Sequence, residues 1–310
     1  MFKALVIGCG NIGALYDLHN EEIQSHVKAL YLDNRFSVSI FDLNKNLTCD
    51  IAKKYNCNVI NTVSEDTLAA FDLVSICTPT LTHCNFLKMT FAAKVKLVIC
   101  EKPVSNNMNE LDDLAESYSK HHTKVLVNYI RRFQPSFIYL KDLFQGMLKT
   151  EVLTNINIRY QKGFVNNCSH AFDLLEYLLD SEISLIDIKT HNLVFDHFPD
   201  DPTLSLLAIW NGTNVNVHGL NDVFFSHFEI DLYFTTHKIC ITESGHTIKV
   251  YKSIGILSPL KIQNELTRVQ CLQDYMKHVI DHAYCLLNQD ITTDNFIQSV
   301  NLNKIMLKIL

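Results

Sequence analysis

The sequence predicts an α/β protein: a doubly wound parallel sheet, then an α+β domain built on a large, open-faced, mostly antiparallel sheet. Three observations predict it. Up to about residue 127, short apolar runs rich in β-branched residues alternate with helical patterns, as buried parallel strands joined by crossover helices require. Beyond that point strand-like segments follow one another with few helices between them, which indicates antiparallel or mixed pairing. A chain of 310 residues also exceeds one ordinary core and suits two domains, 1–127 and 128–310.

The first domain opens with a strand over 3–7 and a helix starting near Asn11. Strands follow over 36–41 and 58–60, with a helix over 44–55 between them. Two more strands, 72–77 and 96–100, flank a helix over 80–93; a polar helix over 107–120 leads to a strand at 124–127. The second domain reads as a strand over 151–159 and a helix over 169–179, then strands over 186–194, 204–210, 214–218, 228–234, 238–242 and 247–251. Two helices, 270–287 and 294–310, form the tail.

Composition narrows the function classes. A net charge of −6 and the lack of any basic run argue against nucleic acid. The apolar run at 2–7 is too short for a signal core and is followed at once by glycines, and no stretch approaches a membrane span. The ten cysteines are scattered, with no C-x-x-C pair, and several sit inside apolar runs. That predicts a reducing cytoplasm and no zinc site.

Four segments carry chemistry. Gly8-Cys9-Gly10-Asn11-Ile12-Gly13 follows a strand and opens a helix, and Asp42 ends the next strand. In that context Gly8 permits the turn, Gly10 lets a pyrophosphate approach the backbone, and Gly13 lets helix and strand pack closely. The helix N-terminus would offer N–H groups to the phosphates. Asp42 would accept the adenosine ribose hydroxyls and repel a 2′-phosphate, which favours NAD(H) over NADP(H) despite Lys45 nearby. The alternative is a structural turn with Asp42 as a helix cap.

In the second segment, Cys77-Thr78-Pro79-Thr80 with His83, a proline ends the strand and Thr80 is placed to cap the next helix. The third, Glu101-Lys102-Pro103, puts at a strand end a lysine suited to stabilising negative charge on a substrate oxygen. The fourth runs from Asn166 to Asp173: Ser169 would cap a helix, with His170 and Asp173 one turn apart as an acid/base and its orienting carboxylate. Each of the last three, taken alone, also reads as ordinary loop or surface structure.

Together with Asn128-Tyr129-Ile130-Arg131-Arg132-Phe133-Gln134-Pro135 and Leu174-Leu175, these segments resemble the Gfo/Idh/MocA family of oxidoreductases along nearly the whole chain. The resemblance implies a Rossmann domain and an open-faced sheet domain with the active site between them, and Lys102 and His170 as the catalytic pair. It implies cofactor contacts from the glycine turn (Gly8, Gly10, Asn11, Ile12, Gly13), Asp42, Thr78, Pro79, Thr80, His83, Glu101, Lys102 and Arg131. Substrate contacts would come from Lys102, Asn128, Tyr129, Arg132, Asn166, His170 and Asp173. Relatives acting on sugar alcohols carry an aspartate four residues before the histidine, where this chain has Asn166; a neutral amide cannot raise the imidazole pKa, so Lys102 gains weight. The segment 160–167 also looks like members from surface-polysaccharide and nucleotide-sugar pathways.

The activity so implied moves a hydride between nicotinamide and a hydroxyl or keto carbon of a sugar-type molecule, with Arg131, Arg132, Lys162 or Arg159 available for an anionic group. A cofactor-binding sensor on the same fold, and reduction of an imine or C=C bond, are the competing readings. An open sheet rich in apolar side chains would favour a homodimer or homotetramer through that face.

Overall fold

The computed structural model describes residues 1–310 and divides into two compact units, Met1–Phe133 with Asp274–Leu307, and Gln134–Gln273 with Lys308–Leu310. The first unit holds a six-stranded parallel sheet: β1 (Phe2–Ile7), β2 (Phe36–Phe41), β3 (Asn58–Val59), β4 (Leu73–Ile76), β5 (Leu97–Cys100) and β6 (Lys124–Val127). Their order in the sheet is β3-β2-β1-β4-β5-β6. β4 and β5 are buried at every residue, as strands covered on both faces must be. The order reverses between β1 and β4, and the crevice beyond the strand ends at such a reversal is where this topology binds ligands.

The unit's helices are α1 (His26–Tyr31), α2 (Lys45–Tyr55), α3 (Glu65–Leu68), α4 (His83–Ala92) and α5 (Met108–Ser119). The helix expected at Asn11 is a single π-type turn, Asn11–Leu15, after which the chain runs irregularly to α1. That detour is held by buried Asp17, which accepts the Gln24 and Ser25 N–H groups and the Ser25 hydroxyl.

In the second unit α6 (Pro135–Leu148), which no sequence pattern announced, precedes β7 (Leu153–Tyr160) and α7 (Ser169–Leu179). Next come β8 (Leu185–Val194), β9 (Thr203–Trp210), β10 (Thr213–Gly219), β11 (Phe228–Phe234), β12 (His237–Thr242), β13 (Thr247–Ser253) and the unexpected β14 (Leu260–Ile262). The sheet order is β14-β13-β12-β11-β7-β10-β9-β8, antiparallel except where β7 pairs with β10. Alternation is clean: Ile156, Ile158, Val215, Val217, Ile230 and Leu232 are buried, and Phe144 of α6 packs edge-on against Phe234 at 5.1 Å.

The opposite face corrects the expectation of an apolar surface. It carries Asn157 bonded to Asn216, and Arg159 paired with Glu229 at 2.8 Å and Asp231 at 3.0 Å. Apolar exposure gathers instead toward β8 and β9, at Ile186, Ile188, Leu193 and Leu207. Arg159, spent on those two carboxylates, is not a free anion holder.

The tail returns to the first unit rather than completing the second. In α8 (Tyr275–Leu287), Met276, Val279, Ile280, Ala283 and Leu286 join the core that contains Leu97, Ile99 and Leu126. In front of α9 (Phe296–Ile309), Asp294 accepts the Val125 N–H at 2.9 Å; Asn295 accepts the Val127 N–H at 2.8 Å and donates to its carbonyl at 2.9 Å. Two side chains thus satisfy the edge of β6 that a seventh strand would otherwise pair.

Candidate functional site

The candidate site in the first unit grows from the turn after β1. The Gly8 N–H bonds the Phe41 carbonyl and the Cys77 N–H bonds the Ile7 carbonyl, so the ends of β1, β2 and β4 meet there. Gly8 has φ +93°, and a Cβ would stand 2.7 Å from the Cys77 carbonyl oxygen. At Gly13 a Cβ would lie 2.1 Å from the Gly8 carbonyl oxygen; a Cβ on Gly10 would meet nothing within 4 Å. Two glycines therefore bring the turn against the sheet, and the third leaves its outer surface bare.

A cavity of about 830 Å³ opens over that bare surface. Gly8, Gly10, Asp42, Thr78 and Pro79 line it, and Phe41, Leu43, Val63 and Phe86 give it apolar walls that no motif had announced. Asn11 is exposed and Ile12 packs partly on the core; neither lines it. Asp42 accepts the Cys9 N–H at 2.7 Å through one oxygen and the Asn44 N–H at 2.8 Å through the other. The cap of α2 is Asn44, not Asp42. Lys45 reaches the Asp42 carbonyl at 3.5 Å and lies over the Phe41 ring. Burial and the Asp42 charge push the Cys9 thiol up to about 12.

His83 does not line the cavity. It is buried, with one ring nitrogen 2.8 Å from the Thr78 carbonyl and the other 2.9 Å from the Pro103 carbonyl, and burial lowers its pKa despite them. It ties the loop after β4 to the loop after β5. Nor does Thr80 cap α4. It opens a 3₁₀ turn, Thr80–Thr82, and Thr82 stands at the cap position but turns its hydroxyl to Thr78 and the Pro79 carbonyl, so no side chain caps the helix.

Behind Lys102 lies a polar network that sequence reasoning half missed. The Glu101 carboxylate, buried, meets the His26 ring at 3.0 Å and the Asn128 amide at 2.6 Å, and the other His26 nitrogen meets the Ser75 hydroxyl at 3.2 Å. Burial would raise the Glu101 carboxyl, but His26, Asn128 and the Lys102 charge outweigh it and hold it below the ordinary value. Glu101 and Asn128 are thus interior groups bonded to each other, and Lys102, next in the chain to Glu101, is half-buried. Tyr129 is interior as well, its hydroxyl accepting from Asn303, whose carbonyl oxygen takes the Val104 N–H. Arg131 is buried in the following 3₁₀ turn, and Arg132 donates to Gln298. His26 gave no sequence signal, because it lies 75 residues from its carboxylate partner.

His170 belongs to the second unit, in the first turn of a helix that Ser169 does not cap. A π-type turn, Phe164–Cys168, feeds straight into α7, leaving the buried Ser169 hydroxyl without a hydrogen-bond partner. His170 is half-buried and Asp173 buried. Asn166 sits in the turn, its side chain donating to the Lys162 carbonyl. The turn hangs on Asp201, unannounced by any motif, whose carboxylate accepts the Val165 N–H at 2.8 Å and the Asn166 N–H at 2.7 Å. A Cβ on Gly163 would meet that carboxylate at 2.2 Å.

A family model described as "Oxidoreductase family, NAD-binding Rossmann fold" (GFO_IDH_MocA) matches residues 2–129. Those residues are similar to the Gfo/Idh/MocA oxidoreductase family over the first unit's parallel sheet. The chain is 28% identical over 226 residues to the uncharacterized oxidoreductase YrbE of Bacillus subtilis, covering 67% of this chain and 63% of that protein. It is 28% identical over 145 residues to inositol 2-dehydrogenase of Rhizobium meliloti, covering 43% and 44%. In each case the match spans less than two thirds of the relative. The fold matches that of a UDP-N-acetylglucosamine 3-dehydrogenase from Acidithiobacillus ferrooxidans, with a TM-score of 0.77 over 99% of this chain and 96% of that one, at 17% identity. The family binds NAD(P) through its Rossmann fold.

Proposed function

We propose that this protein is a Gfo/Idh/MocA-type, NAD(H)-dependent oxidoreductase that interconverts a hydroxyl and a keto carbon on a sugar or sugar derivative. The observation that carries the reading is the cavity over Gly10, whose backbone lies open to an approaching pyrophosphate, with Asp42 and apolar walls beside it. The residues present fit a dinucleotide: Gly8 and Gly10 would lie under the phosphates, Phe41 and Leu43 beside the adenine, and Asp42 at the ribose. Asp42 disfavours a 2′-phosphate, which supports NAD(H) over NADP(H). When bound, the nicotinamide supplies the hydride acceptor or donor.

The chain's own residues handle the oxygen. The Lys102 ammonium stabilises negative charge developing on the substrate oxygen, and the Glu101–His26–Asn128 network supports the backbone that carries it. His170 takes or returns the hydroxyl proton as general base or acid. The named relatives act on an inositol and a nucleotide sugar, which supports a polyhydroxylated substrate here, a nucleotide sugar of polysaccharide synthesis among them. Assembly into a dimer or tetramer through the second sheet, and a cytoplasmic setting, belong to the same proposal; exposed Ile188 and Leu207 support the assembly.

The test is a cofactor-reduction screen with NAD and NADP across inositols, free sugars and nucleotide sugars. Lys102→Ala and His170→Ala are each expected to cut turnover by roughly 10²-fold or more, with melting unchanged. Full turnover in both variants refutes the catalytic assignment. A chain that retains NAD but turns over none of these substrates is a cofactor-binding sensor instead.

A further inference from the structure

We propose that the first unit holds a second small-molecule site, for an amphiphilic anion with a carboxylate or phosphate head on a planar apolar body. It is a cavity of about 510 Å³ where β5 and β6 begin, beside Lys96 and Lys124. The dinucleotide cavity opens at the other ends of the strands, and the two have no lining residue in common.

Its inner wall is apolar: Phe91, Val95 and Leu286 lie buried behind it, and half-buried Leu287 of α8 and Ile291 beyond it supply the apolar surface it exposes. The His121 ring lies nearly flat on Phe91, with centroids 5.8 Å apart and 23° between planes, and is pinned by a 2.7 Å bond to the Ser117 carbonyl. The rim is cationic, with Lys94, Lys96, Lys120 and Lys124 and no aspartate or glutamate in the lining. Asp72 answers Lys96 at 2.7 Å and Glu116 answers Lys120 at 2.5 Å; Lys94 and Lys124 stand in no ion pair. Thr123, which also lines the cavity, is buried, and its hydroxyl has no hydrogen-bond partner.

These features together select the ligand class. A bare inorganic anion would meet the lysines and leave the apolar wall uncovered; a neutral arene would do the reverse. A flat ring bearing one anionic head covers the wall, answers Lys94 and Lys124, and brings oxygens toward the Thr123 hydroxyl. The volume suits such a molecule.

The probe is 8-anilinonaphthalene-1-sulfonate, titrated by fluorescence into the full chain with and without excess NAD⁺. Saturable binding is expected to persist with NAD⁺ and to weaken as salt rises. Phenyl phosphate or phenylacetate should displace the probe, and the more potent of the two identifies the head group; inorganic phosphate and benzyl alcohol should not displace it. The double variant Lys94→Glu/Lys124→Glu is expected to weaken binding at least tenfold with melting unchanged. Thr123→Val, nearly isosteric, should weaken it severalfold and serves if the double variant fails to fold. Binding abolished by NAD⁺, unaffected by the variants, or displaced equally by inorganic phosphate overturns the proposal.

Discussion

Substituting alanine at Gly10 and at Gly13 should have opposite consequences, although the two lie three residues apart in one motif. At Gly13 the new methyl would sit 2.1 Å from the Gly8 carbonyl oxygen and 3.0 Å from its carbon. The obstacle is backbone at the end of β1, so the turn must move by about 1 Å. Overpacking costs about 1–3 kcal/mol, and an obstacle that no rotamer can clear puts Gly13→Ala at the top of that range or beyond. At roughly 2–4 °C per kcal/mol for chains of this order, melting should fall by about 6–12 °C. At Gly10 the methyl meets nothing within 4 Å, and φ −68° suits any residue, so melting should hold or rise slightly. The same methyl occupies the surface assigned to the pyrophosphate, so the dissociation constant for NAD should rise tenfold or more, about 1.4 kcal/mol. Thermal melting and equilibrium dialysis with NAD read the two effects separately. Wild-type affinity in Gly10→Ala refutes the cofactor placement, and wild-type melting in Gly13→Ala refutes the close-approach argument.

Three further outcomes follow from the described geometry. Asp201→Ala strips the acceptor from the Val165 and Asn166 N–H groups and should cost about 2 kcal/mol or more in urea denaturation; a loss under about 0.5 kcal/mol would sink that account. The Glu101 carboxyl is held below its unfolded value of 4.5, so its contribution to stability is present above that pH and fades as pH falls through the lower folded value. The acid limb of a melting-versus-pH curve should accordingly flatten in Glu101→Gln. Mass mapping after iodoacetamide at pH 8 should find exposed Cys49 alkylated and Cys9, buried with its thiol near 12, untouched.

Sequence patterns captured what is local or periodic. Every strand but β14 announces itself, because continuous and alternating apolar runs are direct signatures of two-sided and one-sided burial. The close approaches at Gly8 and Gly13 were legible because a missing side chain has one steric meaning. Features fixed by distant partners were not legible. His83 looks like a cleft residue until the Thr78 and Pro103 carbonyls claim both ring nitrogens. Asp201 lies 35 residues from the Asn166 N–H it accepts, in a segment with no motif. The polar open face was misjudged because its asparagines and charges pair only across β7, β10 and β11. The helix expected at Asn11 shrank to one turn because Asp17 and Ser25 restart the chain below it.

The side-chain bonds that Asp294 and Asn295 make to β6 bear on the order in which the molecule is made. The strands of the parallel sheet are translated first, but the sheet's outer margin cannot close until Asp294 and Asn295 have emerged. During synthesis the second unit can form while the first still presents the Val125 and Val127 amides, along with a gap in its core where α8 belongs. The nascent first unit is thus held incomplete, and sticky along one margin, until residues 274–307 have been made. Asp294 and Asn295 act as a late-arriving latch, and any ribosome stall before Asp294 leaves that margin open to other polypeptides.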